Sequence, residues 1–172
     1  LKKENIRGLI IDLRFNGGGS LQDVVNMAGL FIESGPIVQV KSRDAAAYVL
    51  KDDDPGINFE KPLVVLINPY SASASEIFAA AIQDYKRGVI IGSTSFGKGT
   101  VQRFFDIDNL LGGSYIDYRP FGSLKITVQK FYRINGDATQ LKGVTPDIVL
   151  PDIYTFLDDD NEKGMNFPLA FS

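Results

Sequence analysis

Two short apolar runs, each followed by small residues and then by a helical pattern, limit what this chain can fold into. Residues 6–13 and 63–67 are rich in Ile, Leu and Val, and their length is typical of buried strands. The first run leads through the glycine loop at 16–19, and the second leads through the serine-rich segment at 71–75. Alternation of strand and helix over the first 91 residues predicts an α/β layered fold.

Shorter signals predict the remaining elements. Ser20 is a candidate N-cap for the first helix, and Gly35-Pro36 is expected to end it. The second helix is expected to end near Asp84 or Tyr85, and residues 43–60 form a polar loop with room for a short hairpin. Extended segments are expected at residues 37–41, 89–91, 100–105, 123–134 and 144–150, with a turn-rich stretch at 109–114.

Composition excludes several classes of protein. The 172 residues are 44% hydrophobic and 23% charged, which is typical of a globular domain with a sizeable core. Eighteen Lys and Arg against 21 Asp and Glu give a net charge of −3, so no basic surface for nucleic acid is expected. The apolar runs are far shorter than a membrane helix requires, and no transmembrane segment is predicted.

The chain contains neither cysteine nor histidine. A Ser-His-Asp triad, a thiol nucleophile and a cysteine-based zinc site are therefore all excluded. Acid–base chemistry must come from Asp, Glu, Lys or Tyr. The first residue is Leu1, with no initiator Met and no signal-peptide pattern, so we expect a piece of a longer protein.

Two weaker patterns are disfavoured. Gly92-x-x-x-x-Gly97-Lys98 resembles a phosphate-binding loop, but Gly99 stands where that loop requires Ser or Thr, and β-branched and aromatic residues follow instead of a helix. The acidic runs at 52–54 and 158–160 lack the alternating spacing of a calcium loop, so we interpret them as solvated.

A serine, a lysine and a glycine loop together permit acyl transfer. Each of these features alone is explained by an ordinary structural role: Ser73 can cap a helix, Lys98 can lie on the surface, and three glycines can form a turn. Together they provide a nucleophile at a helix N-terminus, a base that apolar surroundings can keep neutral, and backbone N–H groups for an oxyanion.

Three segments carry a family resemblance: DLRFNGGG at 12–19, YSASASEIFAAAIQDYKRGVIIGSTSFGKGTVQ at 70–102, and KFYRINGDATQLKGVTPDIVLPD at 130–152. They resemble the carboxy-terminal processing proteases, most closely the bacterial tail-specific branch, over residues 6–152. The resemblance implies that Ser73 is the nucleophile, that Lys98, 25 residues later, is the general base, and that Gln102 orients the lysine. It also implies oxyanion donors at the N–H groups of Gly19 and Ala74, and structural roles for Glu76 and Asp84.

The resemblance further implies a crotonase-like, ClpP-related core of layered strands and helices with an additional β segment. The expected activity is that of a serine endopeptidase with a Ser–Lys dyad, which cleaves proteins with accessible apolar carboxy-terminal tails through an acyl-enzyme. No cofactor or metal is implied. Adaptor or partner subunits and a periplasmic or envelope location are expected from the family.

Residues 1–172 are accordingly interpreted as one catalytic core, with 153–172 as a peripheral tail. The family's upstream PDZ domain and N-terminal segments are absent from this sequence, so the isolated chain is expected to be poorly active. The alternative is a catalytically idle scaffold that binds peptides or partner subunits.

Overall fold

The elements lie in two sheets joined by two helices. A computed structural model describes residues 4–54, 56–113, 115–156 and 164. The strands are β1 (Leu9–Asp12), β2 (Pro36–Ser42), β3 (Tyr48–Lys51), β4 (Leu63–Ile67), β5 (Val89–Gly92), β6 (Thr100–Asp106), β7 (Ser123–Tyr132) and β8 (Ile148–Val149). The α-helices are α1 (Leu21–Gly29), α2 (Ala74–Asp84) and α3 (Ile107–Leu111), and short 3₁₀ turns occupy Ile116–Tyr118 and Ile153–Phe156.

The first sheet is parallel, with strand order β1-β4-β5-β8. Leu9 is level with Leu63 in β4, and Val64 is level with Val89 in β5. The connections from β1 to β4 and from β4 to β5 each contain a helix, as parallel neighbours require. All strands therefore end at the same edge of the sheet, and the loops that follow them meet there.

The second sheet is antiparallel, with strand order β3-β2-β7-β6. Strand β3 lies within the polar segment at residues 43–60, where a short hairpin was considered, and it forms a hairpin by pairing with the preceding strand β2. Since β2 pairs only with Gln129–Tyr132 of β7, the distal part of the β6–β7 hairpin extends beyond the four-stranded sheet.

The core lies where α1 and α2 pack against each other and against the sheets. α2 contacts β5 of the parallel sheet and β2 of the antiparallel sheet, so it joins the two layers. Every residue from Ala74 to Ile82 is buried, which explains the run of alanines: small side chains let the helix approach its neighbours on all sides. The predicted α/β layered fold is confirmed.

Four expectations are corrected in detail. β1 is an edge strand and leaves Ile10 66% exposed, so it is not buried along its length. α1 ends at Gly29, well before Gly35-Pro36, and the chain then leaves the helix with Phe31 and Ile32 packed in the core. The turn-rich stretch at 109–114 overlaps α3, and the strand predicted at 144–150 is reduced to the two residues of β8.

Most of the tail that begins at residue 153 lies outside the described residues, including the acidic run at 158–160. Its first turn is described, and there the ring of Tyr154 contacts Phe15 and Tyr70 at centroid distances of 5.4 Å and 5.3 Å.

A bidentate ion pair fixes the end of α2 to β7 and its following turn. The Arg133 guanidinium donates to both carboxylate oxygens of Asp84, at 2.5 Å and 3.1 Å, and to the side chain of Gln83 at 2.9 Å. The two charged side chains are only 16% and 10% exposed. Removing one partner of such a pair leaves the other charge poorly solvated.

We therefore expect Asp84→Ala to lower the free energy of unfolding by about 3 kcal/mol. The control is Asp12→Ala, which removes a pair with Arg14 whose side chains are 47% and 49% exposed, and which should cost less than about 1 kcal/mol. Urea unfolding of both variants measures the difference. An equal loss in the free energy of unfolding for the two substitutions would show that the buried Asp84 pair stabilises the fold no more than the exposed Asp12 pair.

Candidate active site

Three loops converge at the carboxyl edge of the parallel sheet. The glycine loop follows β1, the serine turn follows β4, and the lysine loop, residues 93–99, follows β5. Because β4 lies between β1 and β5, the serine turn is central and has one other loop on each side. The sheet order thus brings together the loops that contain Asn16, Ser73 and Lys98, which lie 57 and 25 residues apart in sequence.

Ser73 occupies a strained turn between β4 and α2. Its φ of +57° and ψ of −113° lie in a region of backbone conformation that residues other than glycine rarely adopt. The conformation is held because the Ser73 N–H donates to Glu76 at 2.9 Å and its carbonyl accepts from Ile77 at 3.0 Å. Strain of this kind costs of order 1–3 kcal/mol and is concentrated at functional sites. A half-buried serine projecting from a strand-to-helix turn is the setting of a nucleophile in serine hydrolases.

The carboxylate of Glu76 joins the serine turn to the lysine loop. One of its oxygens accepts from the N–H groups of Ser73 and Lys98, each at 2.9 Å, so these two nitrogens lie no more than twice that distance apart. The other oxygen accepts from the Ser95 hydroxyl at 2.6 Å and the Gly97 N–H at 2.7 Å.

Glu76 is fully buried, and burial raises its pKa to about 7. The four hydrogen bonds favour the ionised form and oppose this rise. The carboxylate therefore titrates near neutrality while it holds the backbone of both candidate catalytic residues.

The glycine loop lies directly against the serine turn. A Cβ added to Gly18 would come within 2.7 Å of the Ala72 carbonyl oxygen, 2.8 Å of the Ser73 Cβ and 2.9 Å of the Ala74 nitrogen. Asn16 fixes this approach, because its carbonyl accepts from the Ala72 N–H and from the Ser75 hydroxyl, both at 3.0 Å.

Two backbone donors are available beside Ser73. The first is the N–H of Ala74, the first residue of α2. The second is the N–H of Gly19, which follows Gly18, the glycine that lies against the Ala74 nitrogen. Within the described ranges, neither N–H group has a hydrogen-bond acceptor. Unpaired N–H groups at a helix start attract negative charge, so the pair is suited to hold an oxyanion.

The lysine loop is supported on a second side by residues 139–143. The Gln140 side chain accepts from the Gly99 N–H at 2.8 Å, the Thr139 hydroxyl donates to the Lys98 carbonyl at 3.2 Å, and the Leu141 N–H donates to Gly97. The backbone around Lys98 is thus fixed between α2 and this segment.

The Lys98 side chain is half-buried, and in the described part of the chain its ammonium has neither a carboxylate partner nor a hydrogen bond. Gln102 lies on β6, where its side chain is exposed and makes no described hydrogen bond to Lys98. A register shift against β7 falls between Val101 and Gln102. The structure brings Ser73, Lys98, Gly19 and Ala74 to one edge of the sheet but does not join Gln102 to the lysine.

The structure agrees with the rejection of a phosphate-binding loop, because residues 93–99 lead into strand β6 and not into a helix. No cluster of three metal-ligating side chains occurs among the described residues. Those residues also include no helix with the length and apolar character needed to cross a membrane.

Comparison with known proteins places this arrangement in a family. The model of peptidase family S41 matches residues 1–150. A tail-specific protease of Haemophilus influenzae is 51% identical over 166 residues, which are 96% of this chain and 24% of that protein. A carboxy-terminal-processing protease of Bartonella bacilliformis is 39% identical over 160 residues, 90% of this chain and 34% of that protein.

A solved structure of a C-terminal processing protease is also similar to this chain. The photosystem II D1 C-terminal processing protease superposes with a TM-score of 0.70 at 32% identity, covering 87% of this chain and 36% of that one. The chain belongs to peptidase family S41, and its predicted likeness to the carboxy-terminal processing proteases is confirmed. It spans about a quarter to a third of the length of these relatives.

Sequence reasoning assigned Glu76 only a structural role and missed Gln140. The signal for Glu76 was present: it is the one charged residue between Ser71 and Ile82, in a helix apolar on every face. A carboxylate in such a helix must be buried, and a buried carboxylate needs donors. Gln140 offered no comparable signal, because its partner Gly99 is distant in sequence.

The contact of Gly18 with the serine turn leads to a paired prediction. Gly18→Ala should lower kcat by about a hundredfold or more, because φ is +101° and the new Cβ would displace the backbone around Ser73 and Ala74. Gly17→Ala is the control, since a Cβ there would meet nothing within 4 Å. Peptide hydrolysis by both variants of the full-length protein tests this, and equal rates would contradict the packing argument.

The raised pKa of Glu76 predicts a pH-dependent stability. Between its ordinary value of 4.5 and about 7, the folded protein binds more protons at this group than the unfolded protein. Its contribution to the free energy of unfolding is therefore greatest at low pH and is lost as pH rises through 7.

Urea unfolding between about pH 5 and pH 8 measures this contribution. The free-energy difference between wild type and Glu76→Gln should shrink as pH rises, because the glutamine has no proton to lose. A Glu76→Gln difference that is flat with pH would contradict the pKa shift.

Proposed function

We propose that this chain is the catalytic part of a serine endopeptidase that uses Ser73 and Lys98 as a dyad. The observation that carries the proposal is the strained serine at the start of α2, tied through Glu76 to the backbone of the only lysine in its neighbouring loop, residues 93–99. Nucleophilic catalysis requires a hydroxyl, a base within reach and donors for the oxyanion. The convergence of the serine turn, the lysine loop and the glycine loop at one edge of the sheet supports this assignment.

In the acylation step, the Ser73 Oγ attacks the carbonyl carbon of the scissile peptide bond while Lys98 accepts the hydroxyl proton. The carbonyl oxygen becomes an oxyanion, which the N–H groups of Gly19 and Ala74 stabilise. The C–N bond then breaks, and the lysine gives its proton to the leaving amine. Water, deprotonated by the same lysine, hydrolyses the acyl-enzyme and returns Ser73 to its starting state.

A neutral lysine is the condition for this mechanism. In the described part of the chain, the half-buried Lys98 side chain has no carboxylate partner that would hold its nitrogen away from Ser73. Gln102 is proposed to orient the lysine, and since it is exposed on β6 in the structure, the contact would form only when substrate or another part of the protein covers it.

The substrates, partners and location belong to the whole protein and are proposed from its relatives. Two of these are named tail-specific and carboxy-terminal-processing proteases, which supports proteins with accessible carboxy-terminal tails as substrates. Recognition of apolar tails, adaptor or partner subunits, and a periplasmic or envelope location are proposed on the same basis. Because this chain spans 24% to 34% of those proteins, capture of the tail is assigned to segments outside it.

Ser73→Ala and Lys98→Ala should each lower kcat by about ten-thousandfold or more, because the two residues act as one unit. Ser34 and Lys41 are exposed, so Ser34→Ala and Lys41→Ala are matched controls and should leave activity unchanged. Hydrolysis of an unstructured protein is measured with the full-length protein, and circular dichroism establishes that each variant folds.

A fluorophosphonate probe with mass-spectrometric mapping adds a direct readout, and we expect the label on Ser73 alone. Full activity in Ser73→Ala, or labelling at another serine, would refute the assignment and favour a scaffold that binds peptides without cleaving them.

A further inference from the structure

Three aromatic rings pack together at the carboxyl edge of the parallel sheet. Phe15 directly precedes the glycine loop, Tyr70 directly precedes the serine turn, and Tyr154 lies in the 3₁₀ turn after β8. The Phe15 and Tyr70 rings are stacked at a centroid distance of 5.6 Å. The Tyr154 ring is nearly perpendicular to both, at interplanar angles of 86° and 82°. Both arrangements are favourable for aromatic pairs. The proposed mechanism does not use this cluster.

The segment that follows β8 reaches this cluster from the far edge of the sheet. β8 pairs with β5, and just after it the Leu150 N–H donates to the Gly92 carbonyl at 2.7 Å. The Asp152 carboxylate then accepts from the Ser93 hydroxyl at 3.5 Å and from the Tyr154 N–H at 2.9 Å. Because β4 and β1 lie beyond β5 in the sheet, the Tyr154 ring extends over the ends of these strands. The segment therefore contacts the chain at the start of all three loops of the site.

Phe15 is the residue through which the cluster acts on the glycine loop. Its φ of +61° lies in the left-handed region, which an aromatic residue rarely adopts. Relaxation of this angle would rotate the chain that follows. A Cβ at Gly17 or Gly19 would meet nothing within 4 Å among the described residues, so these two positions have no packing that opposes such a rotation. The direction of the Gly19 N–H therefore depends on how firmly Phe15 is held.

Contacts on two sides hold Phe15. Its N–H donates to the buried Asn68 side chain at 3.0 Å, which fixes the backbone. Its ring is 60% exposed, so burial in the core does not fix the side chain, and the two neighbouring rings do. Tyr70 belongs to the chain that enters the serine turn, whereas Tyr154 comes from outside the three loops. The Tyr154 hydroxyl has no hydrogen bond in the described part of the chain, so its ring makes the contact.

We infer that Tyr154 is a positioning residue for the oxyanion site: its ring keeps Phe15 in the left-handed conformation, which directs the Gly19 N–H toward the carbonyl oxygen of the substrate. The inference rests on the proposed peptidase function. It gives the first turn of the segment expected to be a peripheral tail a part in catalysis. Because an oxyanion donor acts mainly on the charge that develops in the transition state, loss of the Tyr154 ring should lower the rate of the chemical step and leave substrate binding nearly unchanged.

Peptide hydrolysis by the full-length protein tests this role. Tyr154→Ala should lower kcat at least about tenfold and change KM less than about twofold. Tyr154→Phe should keep the wild-type kcat, because it retains the ring. Ile153→Ala is the matched control, since Ile153 is 75% exposed in the same turn, and it should leave both constants unchanged. A wild-type kcat in Tyr154→Ala, a rise in KM alone, or an equal loss in Tyr154→Phe would overturn the inference.

Two further variants test the route through Phe15. Tyr154→Leu keeps an apolar side chain without a ring and should lose kcat as Tyr154→Ala does, so it replaces that variant if the alanine protein does not fold. The double variant Phe15→Ala/Tyr154→Ala should have a kcat within about twofold of Phe15→Ala, because the second substitution removes a contact that is already lost. Losses that multiply in the double variant would show that Tyr154 does not act through Phe15.

A peptide boronate, which forms a tetrahedral adduct with a serine nucleophile, separates the two levels of failure. The inhibition constant should rise in Tyr154→Ala by about the factor by which kcat falls. If the wild-type protein cleaves peptides and is inhibited, but Tyr154→Ala has the same kcat and inhibition constant, the positioning role is wrong and the peptidase proposal stands. If the wild-type protein neither cleaves peptides nor binds the boronate, the peptidase proposal fails, and the role of Tyr154 fails with it.

Discussion

The Glu76 carboxylate is the interaction on which the geometry of the site depends. It is buried, and it accepts four hydrogen bonds that come from the serine turn and the lysine loop. A hydrogen bond to a charged group is worth about 1.5–3 kcal/mol, and an unpaired buried donor costs a similar amount. Displacement of either loop would leave both the carboxylate and its donors unsatisfied, so the distance between the Ser73 and Lys98 backbones is strongly constrained.

The parallel sheet determines which loops this carboxylate can reach. With strand order β1-β4-β5, the serine turn at the end of β4 has the glycine loop on one side and the lysine loop on the other. The Ser71 hydroxyl strengthens the first junction, because it donates to the Leu13 carbonyl at 2.8 Å at the end of β1. The arrangement needs no loop to extend far from the sheet, which favours a rigid site.

Local signals predicted most of the fold. β4 and α2 are bounded as the sequence indicates, because an apolar run and a row of small residues each act over a few residues. Ser20 is confirmed as the cap of α1, since its hydroxyl accepts from the Asp23 N–H at 3.2 Å. The need for glycine at Gly29, the last residue of α1, could not be predicted in this way, because a Cβ there would overlap the Asp52 side chain, a contact that exists only in the folded chain.

The candidate site was predictable as a set of residues but not as a geometry. Ser73 and Lys98 follow from residue type, position and family resemblance. Their link through Glu76, and the support of the lysine loop by Gln140, depend on hydrogen bonds between segments 19 to 41 residues apart. α3 illustrates the opposite case: Asp106 caps it with bonds to Asp108 and Asn109, a local signal that was present in the sequence and not used.

Strain at Ser73 persists because the helix that follows it has no freedom to relax. Relieving a φ of +57° would require a rotation or shift at the start of α2. Ile77, Phe78 and Ile82 are each at most 4% exposed, and burying one such side chain contributes about 1.5–3 kcal/mol. Since the strain itself costs of order 1–3 kcal/mol, a shift that exposed even two of these side chains would cost more than it released. The buried alanines between them leave the helix no room to rotate in place. The packing of α2 in the core therefore keeps the serine in a conformation that the isolated turn would not adopt.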